Sequence, residues 1–119
     1  LIHNYVSLGY AAILAEAAAA ARTGAIEINT MIDVLEAGGG KSVVLDRFRP
    51  YLQNGDISSL RFSLSNAAKD INYFTIANRP SPVASALHAL FRDTAADIGG
   101  SESILRLIEQ LTSRDPKKR

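Results

Sequence analysis

The sequence predicts an all-α fold, a single helical domain of about six helices. Apolar residues recur at spacings of three and four along most of the chain, and no segment alternates convincingly with period two. Glycine- or proline-bearing breaks at 38–40, 54–56, 78–82 and 99–101 cut the chain into helix-length pieces. At 119 residues there is room for one core but not for two. No repeat of 20 to 50 residues and no low-complexity linker divides it.

The first helix is expected over 2–23, ended by Gly24. Its polar residues before Arg22 are few: His3, Asn4, Ser7 and Glu16. A helix this apolar around its circumference needs cover on most sides, and the alanine run 17–21 lets a neighbouring backbone come close. Glu16 in that run reads equally as a buried hydrogen-bonding partner or an exposed interruption. A second helix is expected over 27–37, with Ile28, Met31, Ile32 and Leu35 as its stripe. Gly38–Gly40 should end it in a left-handed conformation. Ser42 is placed to cap a third helix over 42–52, which Pro50 should kink or end early. A turn follows at 53–56. The fourth helix is expected over 62–77 and the fifth over 82–98, with Pro82 in its first turn. Ser101 is placed to cap a last helix over 102–112. The domain thus covers 1–112, followed by a short basic tail, 113–119.

The stretch LEAGGGKS at 35–42 looks like the end of a phosphate-binding loop. The G-x-x-x-x-G-K-[ST] pattern needs glycine where Leu35 stands and a strand before it. Both are missing, so the glycines read as a helix end. With 13 Lys+Arg against 12 Asp+Glu, the net charge of +1 gives no electrostatic reason to expect nucleic acid or an anionic membrane as partner. The apolar run Leu8–Ala21 is interrupted by Glu16 and falls short of the roughly 20 residues of a bilayer crossing. It also lacks the basic region that precedes a signal peptide's apolar core. No cysteine is present, which excludes disulfides and thiolate metal sites and suits a cytoplasmic location. His3 and His88 have no acid or second histidine at i+3 or i+4, so no metal site is expected. His88 reads as a partly buried helix residue. Neither a nucleophile elbow nor a carboxylate pair suggests a self-contained active site.

Four stretches, in order, carry a resemblance. They are LIHNYVSLGYAAILAEAAAAARTG at the start, VLEAGGGKS at 34–42, FSLSNAAKDINYFTIA at 62–77 and RPSPVASALHALFRDTAADIGGSESILRLIEQL at 79–111. Over about 1–112 the chain resembles the C-terminal helical domain of the β-hydroxyacid dehydrogenases, the group of 3-hydroxyisobutyrate dehydrogenase and tartronate semialdehyde reductase. The resemblance implies the helical fold of the 6-phosphogluconate dehydrogenase C-terminal domain. It also implies hydride transfer between NAD or NADP and a short hydroxy acid, with a lysine as general acid–base.

Carried over by position, Asn4 aligns with the substrate-orienting asparagine and Lys69 with the lysine that reaches the bound dinucleotide. Phe62 and Ser42 align with residues lining the same cleft, Phe62 on the cofactor side and Ser42 on the substrate side. The family's catalytic lysine would stand immediately before Leu1, and the dinucleotide-binding domain would precede that. No catalytic residue is therefore expected within this chain, which alone should be inactive. The implied partners are the hydroxy acid, the N-terminal dinucleotide domain and a second copy in a homo-oligomer. Each residue also has a plainer reading: Asn4 as an N-cap, Ser42 as a cap, and Lys69 and Asp70 as a solvated helix face. The alternative for the whole chain is a stand-alone helical interaction module whose first helix is a partner surface.

Overall fold

The structure, a computed structural model, describes residues 1–113. Six α-helices follow one another: α1 (Ile2–Thr23), α2 (Ile28–Glu36), α3 (Val43–Asn54), α4 (Leu64–Ala77), α5 (Pro82–Ile98) and α6 (Leu107–Ser113). Single 3-10 turns stand at Ile57–Ser59 and Ile104–Arg106. Among the described residues there is no strand, only an isolated antiparallel bridge between Ser63 and Ser103. The fold is all-α, as the spacing predicts. The expected basic tail lies, from residue 114, outside the described residues.

The helix α1 is the spine, touching each of the other five helices. Its buried face is mostly alanine: Ala11, Ala12, Ala15, Ala18, Ala19 and Ala21, with Leu8 and Leu14. Small side chains on one face let α4, α5 and α6 approach closely. Gly9 serves the same end, since a Cβ there would come to 3.3 Å of Leu87 Cδ1 on α5. Around this spine the core collects Ile32, Leu45, Phe48, Leu64, Ile71, Phe91, Ile104, Leu105, Leu107 and Ile108, each at most 2% exposed. Full burial of side chains of this size contributes roughly 1.5–3 kcal/mol apiece.

Three expectations about helix ends are corrected. First, Pro50 neither kinks out nor ends α3, which continues to Asn54 and stops where Gly55 turns left-handed at φ 72°. Beyond the proline, Tyr51 and Leu52 are buried, and their packing outweighs the one backbone hydrogen bond the ring removes. Second, none of the three glycines at 38–40 is left-handed. They are needed for space instead: a Cβ on Gly40 would lie 2.6 Å from Leu35 Cδ2. The Tyr10 hydroxyl donates a hydrogen bond to the Gly40 carbonyl, tying the turn to α1. Third, Ser103 rather than Ser101 begins the final segment. Its Oγ accepts from the Leu105 N–H at 3.1 Å and donates to the Leu60 carbonyl at 2.7 Å. The extended pairing of 62–64 with 102–104 (Leu64 N to Glu102 O 2.8 Å, Ile104 N to Phe62 O 2.9 Å) occupies the backbone that a helix starting at 102 would need. The same pairing delays α4 to Leu64, with Ser63 as its cap.

The expected cap at Ser42 is present, its Oγ accepting from the Leu45 N–H at 3.0 Å. Gly24 ends α1 as expected, although the left-handed residue is its neighbour Ala25, at φ 58°. Glu16 is exposed and His88 half-buried.

Candidate functional site

At the start of α1, residues spaced three and four apart share one face: Asn4, Ser7, Leu8 and Ala11. That face forms one wall of a cavity of about 160 Å³. The opposite wall comes from the first turns of α3, through Val43, Val44 and Arg47. Leu60 and Phe62, before α4, and Ile104 complete it. Local structure holds each wall in place. Ser42 caps α3 and so orients Val43, Val44 and Arg47. The backbone pairing of Phe62 with Ile104 fixes the third side. Seven of the ten lining residues are apolar, leaving Asn4, Ser7 and Arg47 as the polar members.

Asn4 is not a helix cap, because α1 already begins at Ile2 and its N-cap position is Leu1. Its amide instead reaches across to α4, where Nδ2 donates to Asp70 Oδ2 at 3.3 Å. One turn further along, Tyr5 stacks on Phe74 with ring centroids 4.1 Å apart and planes 11° from parallel. These two contacts lock the start of α1 onto α4 and leave the Asn4 side-chain carbonyl without a protein donor among the described residues.

Of the four residues singled out from the sequence, Asn4 and Phe62 line the same cavity, though 58 positions separate them. Ser42 does not line it, and its hydroxyl is engaged in capping. Lys69 is exposed on α4, outside the wall but next to Asp70, the residue that Asn4 contacts. Two wall residues were not singled out, Ser7 and Arg47. The signal for both was helical spacing: Ser7 lies three residues after Asn4, and Arg47 lies three and four after Val44 and Val43.

A second polar cluster lies among the ends of α1, α3 and α6. The Tyr51 hydroxyl donates to Glu109 Oε1, which also faces Arg22 Nη1 at 3.7 Å. Burial, and then the hydrogen bond and charge of Glu109, push the Tyr51 phenol up to about 12. No cavity opens beside this cluster among the described residues, and it acts as a tie between helices. Nor does any group of three His, Cys, Asp or Glu that could hold a metal occur among those residues. No helix among them is long and apolar enough to cross a membrane.

Two further apolar surfaces flank α1. One is a groove of about 600 Å³ against α5, with Ile13 and Val83 on its rim. The other, against α2, is lined by Ala17, Ala20, Ile26 and Val34. No protein-family model and no curated protein matches the sequence.

Proposed function

We propose that the chain is the helical, substrate-side domain of an NAD(P)-dependent β-hydroxyacid dehydrogenase. The observation that supports this reading most is the meeting of Asn4 and Phe62 on one small cavity, beside the α4 turn that carries Lys69 and Asp70. In this reading Asn4, held by Asp70, orients the substrate by hydrogen bonds. Phe62 and Lys69 face the dinucleotide, and Ser42 fixes the α3 wall of the substrate cavity. The bound NAD or NADP supplies the hydride acceptor, and a preceding dinucleotide domain holds most of it. The acid–base lysine belongs just before Leu1, so this chain positions substrate and moves no proton itself.

The test compares two preparations, the 119-residue chain and the complete gene product, with short 3-hydroxy acids and NAD or NADP. Turnover by the complete product alone supports the reading. Turnover by the isolated chain, or an initiator methionine directly before Leu1 in the gene, overturns it.

The apolar groove between α1 and α5 favours a second reading, a helical interaction module, with Ile13 67% and Val83 61% exposed. The gene sequence before Leu1 separates the two.

A further inference from the structure

The small cavity at the start of α1 carries one cation, Arg47. Among the described residues Arg47 makes no ion pair and no side-chain hydrogen bond, in contrast to Arg49 on the same helix, which pairs with Glu36 at 2.5 Å. Ser7, across the cavity, likewise has no hydrogen-bond partner among the described residues. The only nearby carboxylate the hydrogen bonds reveal, Asp70, is not part of the wall and is turned toward the Asn4 amide. The cavity therefore presents an unspent guanidinium, a hydroxyl and an amide carbonyl around walls that are otherwise aliphatic and aromatic.

We propose that Arg47 is the anchor for a ligand carboxylate, and that the cavity takes a short monocarboxylate bearing an alkyl branch. A guanidinium matches a carboxylate by two parallel hydrogen bonds, which fixes orientation as well as charge. A volume of about 160 Å³ is close to that of an engineered apolar cavity that holds benzene, so it suits a ligand of roughly six to eight heavy atoms. The walls formed by Leu8, Val43, Val44, Leu60 and Ile104 offer no partner to a second or third hydroxyl. Burying such a hydroxyl unpaired is costly, whereas an alkyl group gains by the same burial. The ligand class is thus an alkyl-substituted short acid and not a polyhydroxylated one. Its identification with the hydroxy acid of the dehydrogenase rests on the proposed function above, but the carboxylate site itself does not.

The experiment is an NMR titration of the 119-residue chain with isobutyrate, its neutral counterpart isobutyramide, and glycerate. Isobutyrate should give saturable shifts at Ser7, Val44 and Phe62, with isobutyramide and glycerate at least about tenfold weaker. Arg47→Gln should weaken isobutyrate by a similar factor, and Arg47→Lys should recover part of it. Equal binding of acid and amide, glycerate binding as tightly as isobutyrate, indifference to Arg47→Gln, or no saturation in the millimolar range each overturns the proposal. Unfolding of the Arg47→Gln chain would be visible in the same spectra, and the comparison among the three ligands on the unmodified chain then decides. Because no cofactor is present, failure here is distinct from failure of the dehydrogenase reading, which is judged on turnover.

Discussion

Lys69 stands exposed on α4, one residue before the carboxylate that holds Asn4. In that setting its removal leaves the fold intact, and a lysine→glutamine exchange should alter stability by no more than about 0.5 kcal/mol. In the complete enzyme the proposed role gives the same substitution a different effect. Lys69→Gln should weaken dinucleotide binding by roughly 1.5–3 kcal/mol, the loss of one charge-assisted hydrogen bond. Cofactor Kd and melting temperature measured together check it; an unchanged Kd would return Lys69 to the solvated surface. Asn4 and Phe62 could be picked from the sequence because a polar residue on an apolar helix and an aromatic residue before a helix cap are both locally odd. Their meeting depends on the pairing of 62–64 with 102–104, a long-range contact that no local pattern announces. Arg47 escaped for the opposite reason: an arginine on an exposed helix face is ordinary until the cavity beside it is known.

At the scale of the element, α3 shows how local signals compete with packing. Ser42 caps it as the sequence pattern requires, and Ser42→Ala should cost about 1 kcal/mol, read from denaturant midpoints. Pro50 was a local signal that lost, because Tyr51 and Leu52 beyond it are drawn into the core. The glycines at 38–40 were correctly placed at a helix end but for a different reason, contact of Gly40 with Leu35 instead of a left-handed turn. Tyr51 also binds α3 to α6 through Glu109. Its phenol is raised from 10 to about 12, first by burial and then by the glutamate. The folded state therefore favours the protonated form, and the stability this contributes is complete below pH 10 and lost as pH rises through about 12. Tyr51→Phe should be less stable than the parent at neutral pH and should lose less on going to pH 12. Parallel alkaline denaturation curves would contradict this assignment.

For the whole molecule, the helical class and the order of elements followed from periodicity and breakers, while the incomplete cover of α1 did not. The sequence pattern asks for cover on most sides, yet Ile2, Val6 and Ile13 stay 71%, 60% and 67% exposed along one face. Contiguous apolar surface of this kind commonly marks an interface. The isolated chain should therefore self-associate, and light scattering that reports only monomer at high concentration would argue against this. In the proposed enzyme the same helix separates the substrate cavity from a neighbouring domain or subunit, and Asn4 near its start ties the two scales together. The most direct measurement is kcat/KM for NAD(P)H formation from short 3-hydroxy acids by the complete gene product, with and without Asn4→Ala. The expected result is turnover by the parent and a loss of roughly 10–100-fold in the variant, which corresponds to one or two lost hydrogen bonds to substrate. No turnover of any such acid, or an Asn4→Ala enzyme as efficient as the parent, would contradict it.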